Sequence, residues 1–373
     1  MQPHERRELL ESIWYAAVDA VSGRQSVINA LAAQPIDPPS IILAVGKAAS
    51  GMAEGALTLF PNTPTLVVTK HDHATAFLQG CQSVEIIESA HPVPDDNSLL
   101  AGNALLQKMR DQLEQDHVLL LVSGGASSLA ESLPDDMDLA DLQRLNADML
   151  AAGLTIGDMN ARRKQCSQIK GGKLVGATRA KTTVLAISDV EGDEIATIGS
   201  GIGDPSLNAS RANAHIIASN RIARARAAEV IAAHGIALKH NSETLYADVF
   251  ALADQLGEQL QSATPGAYIW GGEPTVVLPE HPGRGGRNQA LALALAKHLS
   301  NRPNISVIIA GTDGSDGPTQ DAGGVVDSST WDDRCEQALL QADAGSALQA
   351  RNALFTSGPT HTNVMDIAIA LVE

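Results

Sequence analysis

Short apolar runs alternate along this chain with longer amphipathic stretches. Over residues 5–21 the side chains of Leu9, Leu10, Ile13, Trp14, Ala17, Val18 and Val21 recur at helical spacing and predict an opening helix. Residues 41–45, 65–68, 84–87, 118–122 and 183–187 are apolar runs of strand length, with helix-like stretches at 97–114 and 139–152. Alternation of this kind predicts a parallel α/β sheet. An Ala/Arg-rich helix over 220–234 and a polar stretch at 239–243 place a domain boundary within 210–245. Beyond it, the runs 268–270 and 275–278 predict a hairpin, 287–299 a helix and 307–310 a strand. The expected architecture is therefore α/β in two domains, 1–225 built on a parallel sheet and 226–373 smaller and mixed.

Charge narrows the function. Among 373 residues, 43 acidic side chains face 26 basic ones, for a formal charge of -17. Such a field repels nucleic-acid phosphates, and aromatic residues at 3% are too few for base stacking, so no nucleic-acid partner is expected. Cys81, Cys166 and Cys335 are odd in number and widely spaced, which indicates neither a disulfide framework nor a cysteine zinc site. The first residues lead into a charged amphipathic stretch, and no apolar run approaches the roughly 18 residues of a membrane span. A reduced, cytoplasmic protein without a membrane partner is expected.

The chemistry gathers where apolar runs end. Val45 leads into Gly46-Lys47-Ala48-Ala49, Val122 into Ser123-Gly124-Gly125-Ala126-Ser127-Ser128, and Ile187 into Ser188-Asp189 and then the glycine run with Gly201. Trp270 leads into Gly271-Gly272-Glu273, and Ala310 into Gly311-Thr312-Asp313-Gly314-Ser315-Asp316-Gly317. Turns of this type line the crevice where open α/β sheets bind ligands, and glycine admits phosphate close to backbone amides. One glycine turn alone indicates only a tight connection; five of them carrying Lys, Ser, Asp and Glu indicate a functional cleft.

No P-loop is present, since residue 41 is Ile and residue 48 is Ala, and the glycines at 199–203 run into Asp204-Pro205 instead of opening a helix. Two basic clusters stand out. One holds Arg162, Arg163, Lys164, Lys170 and Lys173 around Gly171-Gly172, and its plain reading is a solvated helix face. In the other, Arg284 and Arg287 flank a glycine loop before a helix, a setting suited to bidentate binding of phosphate or carboxylate. Cations with Asp189, Glu273, Asp313 and Asp316 in one cleft would meet the needs of phosphoryl transfer.

In sum the motifs AVGKAASGMA (44–53), HPVPD (91–95), LVSGGASS (121–128), MNARRKQCSQIKGGKL (159–174), ISDVEGD (187–193), GGEPTV (271–276), GRGGRNQALALA (283–294), AGTDGSDGPT (310–319) and SGPTHTNV (357–364) resemble the glycerate 2-kinase family, whose members also carry the name hydroxypyruvate reductase. The resemblance spans nearly the whole chain. It implies a Rossmann-like N-terminal domain, a smaller C-terminal MOFRL domain and an active site in the cleft between them. It also implies transfer of phosphate from ATP, with Mg²⁺, to the 2-hydroxyl of D-glycerate. Lys47 matches the family's active-site lysine, and Arg287, with Arg284 as its rival, the arginine. On this basis Lys47, Arg287, Arg284 and Asp189 are expected to be catalytic. Ser123, Gly124, Gly125, Ser127, Lys170, Gly171, Gly172 and Gly201 are expected at the nucleotide. Lys47, Arg287, Asn288 and Asp313 are expected at the acid, and Asp189, Glu273 and Asp316 at the metal. A homodimer is a candidate assembly. The competing readings are an NAD(P)-dependent hydroxypyruvate reductase and a non-catalytic sugar-acid-binding protein. Departures from the family pattern include Ala126 in the glycine loop, Arg162, Cys166, Ser357, and His361 where glycine is usual; an extra methyl at Ala126 would oppose a left-handed backbone there or tighten the phosphate pocket.

Overall fold

A computed structural model describes residues 1–152 and 156–373. The chain forms two compact units, residues 21–219 with 361–363, and residues 1–20, 220–360 and 364–373.

The first unit is built on six parallel strands, β1 (Ile41–Val45), β2 (Thr65–Lys70), β3 (Val84–Ser89), β4 (His117–Val122), β5 (Lys181–Ile187) and β6 (Ala212–Ala218), in the order β3-β2-β1-β4-β5-β6. All five expected strands are present. β1 and β4 are buried along their whole length, as strands covered on both faces must be, which is why they read as unbroken apolar runs. The chain runs outward from β1 to β3, then returns to β4 and runs the other way. β1 and β4 are thus adjacent, with Val45 opposite Val122, and the connections leaving their carboxyl ends diverge. That divergence opens a ligand crevice at the point where the strand order reverses.

The second unit holds β7 (Leu238–Leu245), β8 (Gly266–Gly272), β9 (Ile305–Gly311), β10 (Gly323–Asp327), β11 (Leu354–Phe355) and β12 (Asp366–Val372), in the order β11-β10-β9-β12-β8-β7. Only β7 and β8 run parallel. The expected hairpin does not form. Residues 268–270 lie inside β8, whose edges are taken by β7 and β12, and Thr275 makes only an isolated bridge to Asp248. The polar stretch at 239–243 is part of the edge strand β7 rather than a linker.

The expected division at 225/226 differs from the observed one in two respects. The break falls at 219/220, and the opening helix Pro3–Ala20 belongs to the second unit. The reason is its apolar face: Leu10, Ile13, Trp14, Ala17 and Val18 are buried, and the helix packs on Asn220–Ala233, β9 and β12. Trp14 meets Phe355 edge-to-face at 5.0 Å. Arg6 is anchored by hydrogen bonds to Ser306 Oγ (2.9 Å), Glu373 Oε2 (2.8 Å) and the Pro303 carbonyl (2.7 Å). Trp14→Ala should destabilise this unit by about 3–5 kcal/mol, the usual cost of emptying a fully buried aromatic site. Thermal melting should show a clearly lowered transition; an unshifted one would mean that the helix does not dock.

Candidate active site

In the first unit the turns after β1 and β4 are locked together. Gly46 has φ +127°, and a Cβ there would fall 2.2 Å from Ser123 Oγ. The Ala48 amide donates to Ser123 Oγ (3.0 Å) and the Lys47 amide to the Gly124 carbonyl (2.9 Å). Gly125, at φ +81°, caps the short helix Ala126–Leu129; a Cβ on it would come within 3.0 Å of Lys47 Cγ and 3.1 Å of His91 Cδ2. A Cβ on Gly124 would overlap the Asp189 carboxylate, at 1.8 Å from Oδ2. Lys47, His91, Gly124, Gly125 and Asp189 are therefore one cluster at the switch point.

Beside it lies a cavity of about 650 Å³ lined by His91, Val93, Pro94, Gly125, Ser127, Ser128, Leu142, Gln143, Met159, Arg163 and Lys170, among others. Ser127 Oγ pairs with Ser200 Oγ at 2.8 Å, and Ser200 in turn with Asn160 Oδ1 at 3.2 Å. Burial, together with the charges of Lys47 and Lys70 and with His73, pushes the His91 imidazole down to about 4, so the ring is neutral near pH 7.

Several expected nucleotide-binding groups have other partners. Ser123 is spent on the Ala48 amide. The Gly171 and Gly172 amides donate to the Ser200 and Gly201 carbonyls (3.0 and 2.8 Å). Lys170 is buried in an ion pair with Glu131, and burial lowers its pKa against the pull of that carboxylate. Lys164 and Lys173 donate to the carbonyls of Ala196 and of Lys164 and Ser167. Much of this basic cluster therefore braces loops instead of facing solvent. Gly125, Ser127, Arg163 and Lys170 reach the cavity. The left-handed residue is Gly125 and Ala126 is helical, so its methyl opposes no left-handed backbone; it fills the space that a side chain at Gly199 would need.

In the second unit, Arg287 opens the helix Arg287–Leu299. Its Nε and Nη2 donate to Asp366 Oδ2 and Oδ1 (2.7 and 3.3 Å), and its Nη1 lies 2.8 Å from Glu273 Oε1. Asp366 is held by its backbone: Asn220 Nδ2 donates to the Val364 and Asp366 carbonyls (2.9 and 3.0 Å). Burial raises the Asp366 pKa, with Arg287 opposing. Burial also works against charge on Arg287, but Asp366 and Glu273 outweigh it and its pKa lies above the ordinary arginine value. Asn288 is buried beside them.

Asp316 accepts from the Asn288 and Gln289 amides (3.1 and 2.8 Å), so it caps the N-terminus of this helix. Burial pushes its carboxyl up to about 7 despite those amides. An unfolded aspartate titrates near about 3.9, so between these values the folded state binds more protons, and this group's contribution to stability falls as pH rises from about 4 to about 7. Asp316→Asn should remove that slope from the thermal midpoints; an unchanged slope would show that Asp316 is not its source.

Arg284 is held elsewhere, by Asp321 (2.6 Å) and Gln349. Asp313 accepts from the Ser315 amide and hydroxyl (2.9 and 3.0 Å) and shapes its own turn. Among the described residues no group of three or more His, Cys, Asp or Glu side chains is placed to hold a metal ion. Of the expected metal carboxylates, Glu273 is paired with Arg287, Asp316 caps a helix, and Asp189 lies against Gly124. His361 stands at φ +57°, a left-handed position that suits the glycine expected there, and its ring meets His73 edge-on at 6.3 Å. His91 and Asp366 are the site residues that sequence reasoning misses. Their signals are the histidine of the HPVPD motif and a lone acid opening the apolar run DIAIALV.

The model of a domain of unknown function, DUF4147, matches residues 9–234, and that of the MOFRL family matches residues 266–366. D-glycerate 2-kinase of Thermotoga maritima is 32% identical, with 99% of each chain covered. Glycerate 2-kinase of Pyrococcus horikoshii is 30% identical over 89% of this chain and 87% of its own. A putative hydroxypyruvate reductase of Agrobacterium vitis is 34% identical over 89% of this chain and 99% of its own. The crystal structure of the T. maritima glycerate kinase superposes with a TM-score of 0.91 at 30% identity, covering all of both chains.

Proposed function

Since the chain belongs to the family that joins a DUF4147 domain to a MOFRL domain, that of the glycerate 2-kinases, we propose that it transfers the γ-phosphoryl group of ATP to the 2-hydroxyl of D-glycerate in the cytoplasm. The observation that carries this reading is the full-length similarity to the T. maritima kinase. The residues suit the ligands. The cavity has the volume of a nucleotide site, with an apolar wall at Val93, Pro94, Leu142 and Met159 and polar groups at Ser127 and Arg163. Gly125, which has no Cβ, leaves room for phosphate beside Lys47. Mg²⁺ takes most of its ligands from phosphates and water and needs only one or two carboxylates, so a ready-made cage is not required; Asp189 is the carboxylate assigned to it.

Lys47 binds the transferring phosphoryl group, and Arg287 holds the acid's carboxylate through its planar fork. Arg287 is one-third exposed and its partner Glu273 about half, so a substrate carboxylate can replace Glu273 while Asp366 keeps the guanidinium in place. Fixing the carboxylate places the neighbouring 2-hydroxyl, and regiochemistry follows from orientation, since the primary 3-hydroxyl is less hindered. The reductase reading finds less support. The strand order is that of dinucleotide-binding sheets, yet β1 leads into Gly46-Lys47-Ala48-Ala49 without the GxGxxG fingerprint.

The test is ADP release screened over hydroxy acids, with phosphorus NMR of the product. D-glycerate should give 2-phosphoglycerate, and lactate, which lacks the 3-hydroxyl, should be turned over poorly because groups that bind that hydroxyl stay unpaired. A dominant 3-phosphoglycerate signal or efficient lactate phosphorylation would overturn the orientation. NAD(P)H consumption with hydroxypyruvate in place of ADP release would overturn the kinase.

A further inference from the structure

The acceptor hydroxyl must lose its proton as it attacks phosphorus, and kinases supply a positioned acceptor for it. The cavity beside Lys47 has few groups able to do so. Among the described residues its lining carries hydroxyls at Ser127 and Ser128, an amide at Gln143 and cations at Arg163 and Lys170, and no carboxylate; Asp189, against Gly124, is the carboxylate assigned above to Mg²⁺. Lys170 is committed to Glu131. Among the described residues of the lining, His91 is the one side chain that is both uncharged and basic. Its ring stands at Gly125, directly across from the Lys47 stem.

We propose that His91 is the general base of phosphoryl transfer. The inference rests on the kinase reading above. In the step, the acceptor O–H bond breaks and its proton passes to a ring nitrogen of His91. The acceptor oxygen bonds to the γ-phosphorus, the bond from that phosphorus to the β,γ-bridging oxygen breaks, and the nucleoside diphosphate leaves. His91 then returns its proton to water.

The surroundings keep the ring ready to accept. Lys47 faces it from the turn after β1, and Lys70 and His73 from the end of β2; together with burial they favour the uncharged imidazole. A base of this modest strength suffices, because in a loose transition state the hydroxyl loses its proton late, and an aspartate of similar basicity serves protein kinases. Triphosphate binding brings negative charge beside the ring and strengthens it as a base at the moment of need.

The test compares the wild type with His91→Gln and His91→Asn, using ATP–Mg²⁺ and D-glycerate. Both variants should lose about 10²–10³-fold in kcat with KM for ATP little changed. The wild-type kcat/KM, which reports the free enzyme, should fall on the acid side toward pH about 4. Its kcat, which reports the ternary complex, should fall at a higher pH, and neither limb should survive in the variants. Added imidazole should restore part of the lost rate. Undiminished kcat in either variant, or a wild-type profile whose limb does not shift on nucleotide binding, overturns the assignment. The second result is readable even if neither variant folds. A wild type that releases ADP with no hydroxy acid overturns the kinase reading, and this one with it. An active wild type with fully active variants overturns this one alone.

Discussion

Lys47→Met should lower kcat by about 10³-fold while leaving the thermal midpoint nearly unchanged. The size follows from removing a preorganised charge aimed at the phosphoryl group, which typically costs about 10²–10³-fold or more. The small effect on stability follows from the local structure. Lys47 contributes its backbone to the fold, through its amide to the Gly124 carbonyl, and no ion pair of its side chain is found among the described residues. Methionine keeps the unbranched stem that packs at Gly125 and deletes only the ammonium group. Near-wild-type turnover would remove Lys47 from the site; a collapse of the melting transition would mean that its ammonium group is structural.

Arg287→Lys should cost about 10²–10³-fold in kcat/KM for glycerate, although the positive charge is retained. Three nitrogens of Arg287 are in use at once, two on Asp366 and one at Glu273. A lysine ammonium is a point donor and cannot hold Asp366 bidentately while presenting a second planar edge to a substrate carboxylate. The matched control is Arg284→Lys, because Arg284 is tied to Asp321 and Gln349 and not to this cluster. Its activity should remain close to wild type. An Arg287→Lys enzyme of full activity, or an Arg284→Lys enzyme as impaired as Arg287→Lys is expected to be, would reverse the assignment. Thermal midpoints separate this from simple damage, since a loss of catalysis without a fall in midpoint is what a substrate clamp requires.

Much of the architecture is legible in the sequence, for a physical reason in each case. β1 and β4 are buried along their whole length, and β2 and β5 everywhere but at one terminal lysine, so their middles are apolar and visible as runs. The helix Arg287–Leu299 shows its bounds because a glycine loop ends where its apolar sequence begins. The turns that follow the strands are equally plain, because glycine is the residue best suited to the left-handed backbone of Gly125 and the one that leaves room for Ser123 beside Gly46.

What the sequence hides depends on partners distant along the chain. β7 is an edge strand with a polar, half-exposed pattern, and nothing local separates it from a linker; its pairing with β8 makes it a strand. The opening helix shows an apolar face without revealing what covers it, and Asn220–Ala233 with β9 and β12 supplies the answer. The same holds for chemistry. Lys170, Gly171 and Gly172 resemble a phosphate cradle in sequence, but Glu131 and the carbonyls of Ser200 and Gly201, distant in sequence, occupy them. Asp316 reads as a metal ligand until its two bonds to the amides of a helix start 27 and 28 residues earlier turn it into a cap. Local sequence determined strands β1 to β5 and the glycine turns that follow them, because backbone geometry and burial act on adjacent residues. Tertiary structure alone decided which charges are spent and which remain available, because an ion pair or a hydrogen bond depends on proximity in space, and proximity is set only when the sheet closes its order.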